Sequence, residues 1–212
     1  MRILEHEIVY RGEDVMSLLA DRKIIVCGAG AIGSNLVDNM VRQGFRKITV
    51  IDDDRVESHN IHTQIWNKRD AGILKVQALK NNVFNSMQVS IEAQKLRLTE
   101  ETVPKLLSKG SIVIDGFDNS DSRKIVSEYC RNNGIECLHV GLYENYAEII
   151  WNERYIIQDD AQAADVCEYP LARNVILLAI SVATEVLIRF ISQGRKEQYT
   201  ITLGDFRICH KE

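Results

Sequence analysis

A doubly wound α/β domain is predicted, its sheet mostly parallel with an antiparallel extension at the C-terminal end. Three observations predict it. Short apolar, β-branched runs alternate with helix-length segments through residues 23–141. A glycine loop of the form G-x-G-x-x-G, at Gly28, Gly30 and Gly33, joins the first strand-like run to the first of these helices. After residue 141 the alternation stops, and two β-rich stretches flank one long apolar segment.

The elements follow in order. Residues 1–22 form a polar, helical lead-in. The run 23–28 is a buried strand that enters the glycine loop, and 31–43 is the helix leaving it. The three glycines allow a tight turn, close approach of backbone to phosphate, and close packing of helix on strand. The helix N-terminus adds free N–H groups and a positive dipole end, which suit an anion. The second strand, 47–52, ends in Asp52, Asp53 and Asp54. A carboxylate about 20 residues beyond such a loop can accept hydrogen bonds from ribose hydroxyls, and Asp52 stands at that distance. Further strands are expected at 89–95, 111–116 and 136–141, with helices at 72–85, 99–108 and 119–133. Residues 147–158 suggest a hairpin turning at Asn152-Glu153, followed by a polar loop over 159–168. A long helix, 171–193, stops at Gly194, and 199–206 is a last strand. No repeat or linker breaks the chain, so one domain over 1–212 is the economical reading.

Composition is ordinary for a globular protein, with 45% apolar and 26% charged residues. The net charge of −4 argues against a nucleic-acid-coating surface. The apolar run 175–191 contains Glu185 and Arg189, whose burial in a bilayer would cost several kcal/mol each, so a core helix is expected and no membrane span. No secretory signal is visible in the charged first residues. The five cysteines are odd in number and not closely paired, as suits a reducing, cytoplasmic compartment. No C-x-x-C pair and no H-E-x-x-H spacing points to zinc.

The glycine loop alone is shared with hydride-transferring enzymes, so an NAD-dependent oxidoreductase is one reading; an obvious catalytic His or Tyr-x-x-x-Lys is missing from the second half of the sheet. Other motifs are more specific. Asn60 follows Asp52 by eight residues, Gln64 follows Asn60 by four, and Gly72-x-x-Lys75 comes next. A second buried strand then delivers Asp115-Gly116-Phe117-Asp118-Asn119, with Arg123 beyond. It would place a carboxylate at the C-terminal sheet edge, where ligands bind in open α/β folds. Taken singly, Lys75 also suits a solvated helix lysine, Asn60 a turn, Asp118 a helix start and Asn119 an N-cap.

In this order the motifs resemble the ubiquitin-activating-enzyme-like superfamily, in its ThiF/MoeB/HesA adenylyltransferase branch. That pattern is a glycine loop, D-x-D-x-V, S-N-L-x-R-Q, a lysine and D-x-x-D-N. The chain has GAGAIG, DDDRV, SHNIHTQ, Lys75 and DGFDN at nearly the same spacing, over about residues 20–192. The resemblance implies a Rossmann-like fold and an ATP-dependent adenylyltransferase. Its substrate would be a carboxylate, foremost the C-terminal Gly of a ubiquitin-like sulfur-carrier protein, converted to an acyl-adenylate with release of pyrophosphate. By match, Gly28, Gly30 and Gly33 would cradle phosphate, Asp52 would hold the ribose, and Asn60 would contact phosphate or ribose. Lys75 would neutralise the α-phosphate and Asp118 would hold Mg. Such enzymes are normally homodimers. A small-molecule carboxylate or a modified tRNA base is an alternative substrate within the superfamily.

The chain departs from the pattern at Thr63, where the family has an arginine that binds triphosphate. Threonine supplies no charge. His62, Arg69, Arg11 and Arg173, or Arg2 or Arg11 of a second subunit, are the candidate substitutes. Thr63 also motivates a further reading, a degenerate subunit that binds nucleotide without catalysis. The branch's zinc-binding cysteine pairs are absent as well. Cys167 lies in the polar loop before the long helix; the resemblance makes it a candidate nucleophile for a sulfur linkage to the carrier, against the reading of an inert loop cysteine. Cys27, Cys130 and Cys137 are expected in or near the core.

Overall fold

The computed structural model describes residues 3–157 and 170–211. Two short helices, α1 (Glu5–Arg11) and α2 (Glu13–Asp21), precede β1 (Lys23–Cys27). Then come α3 (Ala31–Arg42), β2 (Lys47–Ile51), α4 (Lys75–Met87), β3 (Glu92–Gln94), α5 (Val103–Leu106), β4 (Ile112–Asp115), α6 (Ser120–Asn133) and β5 (Glu136–Tyr143). The chain ends with β6 (Tyr146–Trp151), α7 (Arg173–Gln193), β7 (Tyr199–Thr202) and β8 (Arg207–His210).

These strands form one sheet in the order β3-β2-β1-β4-β5-β6-β7-β8. Strands β1 to β5 pair in parallel, and β5 to β8 antiparallel. The strand order reverses direction between β1 and β4, which makes their C-terminal ends the place for a ligand. Side chains of β1 alternate between two apolar layers. Ile24 and Val26 join a core with α3, α4 and α7, while Ile25 and Cys27 join a second with α5 and α6. Both faces are covered, so the central strands read as continuous apolar runs.

Helix α7 is long and apolar enough to cross a membrane by length and composition. Here it is a core helix: Val175, Ile176, Ala179, Ala183 and Leu187 are buried in the first apolar layer. Its charged residues point elsewhere, with Glu185 paired to Arg11 at 2.9 Å and Arg189 to Glu197 at 2.8 Å. Cys27, Cys130 and Cys137 are buried, as expected, and form no disulfide among the described residues.

Three elements differ from the sequence reading. The hairpin lies upstream of its expected place: residues 147–151 pair back onto an extended β5, and the chain turns at Glu144-Asn145. Glu144 takes φ +50 there, a conformation a turn glycine would normally advertise. The expected turn at Asn152-Glu153 instead carries the chain off the sheet. The helix expected over 99–108 is a single turn, with Pro104 near its start and the hydroxyl of Thr102 accepting the Thr99 N–H at 2.9 Å. The last strand is a hairpin rather than a single run. Gly204 and Asp205 turn the chain, and β8 is exposed along its whole length, so it carries no apolar pattern to read.

Candidate nucleotide site

The C-terminal ends of β1, β2, β3 and β4 surround a pocket of about 230 Å³. Its lining includes Gly28, Gly30, Asp52, Lys75, Arg97 and Asp118. Each is delivered by local structure. Gly28 leaves β1 with φ +92, and its N–H donates to the Ile51 carbonyl at 2.9 Å, tying the loop to β2. Gly33 lies in the first turn of α3, where an added Cβ would stand 1.9 Å from the Gly28 carbonyl oxygen. This close crossing of helix and loop needs a residue without a side chain. Gly30, by contrast, has open space where a Cβ would go. The N-terminus of α3 has no side-chain cap.

Asp52 directly follows β2 and braces this loop. One oxygen accepts the Ala29 N–H at 2.7 Å and the other accepts the Asp54 N–H at 2.8 Å. Burial pushes its carboxyl above the ordinary value, against the opposing pull of the Ala29 N–H and Lys75. Lys75 begins α4, with its backbone N–H held by the Asp54 carbonyl at 2.9 Å. Its side chain is largely buried, and the ammonium meets the Asp54 carboxylate at 2.8 Å. Asp118 is exposed, and among the described residues its carboxylate accepts only a long 3.4 Å bond from the neighbouring Asn119 amide. Asn119 is the N-cap of α6, accepting the Ser122 N–H at 2.9 Å.

Behind Asp118, the fully buried Asp115 meets His139 Nδ1 at 2.8 Å, and His139 Nε2 meets Asn152 at 2.8 Å. Arg123 donates to the carbonyls of Phe117 at 2.7 Å and Val140 at 3.0 Å, pinning the β4–α6 turn. Burial opposes ionisation of Asp115, but Arg123, His139 and the Phe117 N–H outweigh it and hold the carboxyl below its usual range. A depressed carboxyl contributes stability above its unfolded value, about 3.9, and loses it as pH falls through the lower folded value. Asp115→Asn is expected to cost about 2 kcal/mol at neutral pH and to flatten the acid limb of a stability-versus-pH curve. Urea unfolding at pH 3 to 7 would show both.

The remaining sequence candidates lie elsewhere. Asn60 is not among the lining residues; its side-chain oxygen accepts the Glu57 N–H at 3.1 Å and closes a short 3-10 turn. Thr63 is buried, with its carbonyl accepting from Asn35 at 2.9 Å. Among the possible substitutes for the missing arginine, Arg11 is committed within the chain to Glu7 and Glu185. Arg69 lines a separate groove between α3 and α4. Arg173 donates to the His62 carbonyl at 2.9 Å, one residue from Thr63, but does not line the pocket. Cys167 and Arg2 lie outside the described residues. Arg97 lines the pocket and was not foreseen. In the charged run K-L-R-L-T-E-E it reads as a solvated cation, and only the sheet order brings it to the site.

A model of the ThiF family matches residues 4–200, nearly the whole chain. The chain belongs to the ThiF family. Among individual members, it is 32% identical over 133 residues to tRNA threonylcarbamoyladenosine dehydratase of Escherichia coli, covering 61% of this chain and 50% of that protein. It is 29% identical over 120 residues to the sulfur carrier protein adenylyltransferase of Thermus thermophilus, covering 55% of this chain and 44% of that one. The crystal structure of E. coli MccB with ATP superposes with a TM-score of 0.82 at 16% identity, over 100% of this chain and 71% of MccB. That likeness establishes the fold. The ThiF-family chain described here spans half or less of the length of the curated relatives it matches.

Proposed function

We propose that this ThiF-family chain is an ATP-dependent adenylyltransferase, activating the C-terminal Gly carboxylate of a ubiquitin-like sulfur-carrier protein. One observation carries the reading: a glycine loop, a largely buried ammonium and an exposed carboxylate share one pocket at the C-terminal edge of the sheet. In the reaction, a carboxylate oxygen bonds to the α-phosphorus of ATP. The bond from that phosphorus to the bridging oxygen breaks, and pyrophosphate leaves with the electron pair. Two anions must approach each other. Fixed positive charge and oriented N–H groups are needed where charge builds up, and preorganised groups of this kind contribute several kcal/mol. Lys75 supplies the charge at the α-phosphate, the α3 N-terminus and loop supply the N–H groups, and Asp52 holds both the loop and the ribose.

Asp118 fits a magnesium ion, being an exposed carboxylate with free oxygen lone pairs beside the phosphate cradle. Asp118 would hold the ion, whose charge offsets that of the phosphates. The sulfur-carrier adenylyltransferase of T. thermophilus supports the choice of substrate. The E. coli tRNA-modifying relative favours a second reading, a carboxylate on a modified tRNA base, against which stands the net charge of −4.

ATP–pyrophosphate exchange tests the proposal. Exchange is expected with a carrier ending in Gly-Gly and not without it. No exchange with any carrier, small acid or modified tRNA would remove catalysis and leave a nucleotide-binding subunit.

A further inference from the structure

We propose that Arg97 binds the nucleobase, its guanidinium lying flat on the base at the β3 end of the pocket. The inference rests on the pocket being an ATP site and assigns a residue that sets affinity for the nucleoside half.

The sheet order fixes the direction of the ligand. The glycine loop follows β1, Asp52 directly follows β2, and β3 lies beyond β2 at the sheet edge. Phosphates on the α3 N-terminus and a ribose at Asp52 leave the base pointing toward β3. The residues that follow β3 and line the pocket are Leu96, Arg97 and Leu98. This segment is held on both sides of the arginine. The Leu96 N–H donates to the Gln94 carbonyl at 3.0 Å, Thr102 Oγ1 donates to the Arg97 carbonyl at 2.9 Å, and Leu98 is buried in the second apolar layer.

The Arg97 side chain is exposed, and among the described residues it has no hydrogen bond or ion pair. The other pocket-lining cation, Lys75, is already paired with Asp54. A planar, weakly hydrated guanidinium, carried between Leu96 and Leu98 in the chain, suits an aromatic face better than open water does. Lysine, with a compact and strongly hydrated charge, does not replace it.

Calorimetric titration of the wild type, Arg97→Ala and Arg97→Lys with Mg-ATP, AMP and inorganic tripolyphosphate separates the possibilities. Arg97→Ala is expected to weaken ATP and AMP each by about tenfold and to leave tripolyphosphate unchanged, with Arg97→Lys recovering little. Since the side chain has no structural partner, the melting temperature should not move. Unchanged ATP and AMP affinities would overturn the assignment. So would a loss extending to tripolyphosphate and restored by lysine, which would make Arg97 a phosphate-binding cation. A wild type that binds no nucleotide would overturn the ATP-site reading itself, and this inference with it.

Discussion

Lys75→Ala should lower ATP–pyrophosphate exchange by about 10²- to 10³-fold while the protein stays folded. The magnitude is that of removing one preorganised charge-stabilising group. The ammonium is largely buried, so its charge is weakly screened, and its position is fixed by Asp54 at 2.8 Å and by the start of α4. Its direct partner Asp54 is well exposed, and the buried Asp52, which also loses the pull of Lys75, keeps the N–H groups of Ala29 and Asp54, so the fold should survive. The backbone bond from Lys75 to the Asp54 carbonyl is retained in any variant. Lys75→Met keeps the aliphatic stem and loses only the charge; it should be as inactive as alanine and somewhat more stable. Exchange in Lys75→Met near the wild-type level would remove the lysine from the reaction. The readout is the exchange rate at saturating ATP, with circular dichroism as the fold control.

Gly33→Ala and Gly30→Ala should fail in opposite ways. At Gly33 an added methyl would stand 1.9 Å from the Gly28 carbonyl oxygen and 2.9 Å from its carbon. The obstacle is backbone, so no rotamer change relieves it, and α3 must lift from β1. That separates Leu36, Val37 and Met40 from the first apolar layer. A loss of at least about 4 kcal/mol is expected, in the range reserved for overpacking against a rigid neighbour. At Gly30 the same methyl meets nothing within 4 Å, and the residue lines the pocket. Gly30→Ala should therefore melt near the wild-type temperature, yet bind Mg-ATP about tenfold more weakly because the methyl occupies phosphate space. Thermal melts of both variants, with and without Mg-ATP, check the contrast. Equal stability of the two would contradict the packing described at Gly33.

Much of this site could be read from the sequence because its parts follow chain order. The glycine spacing, the carboxylate just after β2 and the lysine at the start of α4 each have competing explanations taken singly, and their order along the chain is what singles them out. The same holds for the central strands, whose burial on both faces writes an unbroken apolar run. Other features could not be read. Arg97 belongs to the site only because β3 lies beside β2, a fact of topology. Asn60 has the spacing of a ligand, yet its side chain closes a turn with Glu57. The β5–β6 turn at Glu144-Asn145 lacks a glycine, and β8 is exposed on both faces, so neither leaves a compositional mark. Asp115 looked like the start of a motif. It is also the buried end of a network through His139 and Asn152 to Ser127, which steadies the turn that carries Asp118.

The central claim is that this sheet edge holds a triphosphate, and calorimetric titration of the wild-type chain with Mg-ATP tests it most directly. Saturable binding below millimolar ligand is expected, weakened in Gly30→Ala, with NADH binding far more weakly. No heat with Mg-ATP at millimolar concentration, together with tight NADH binding to the same pocket, would contradict it.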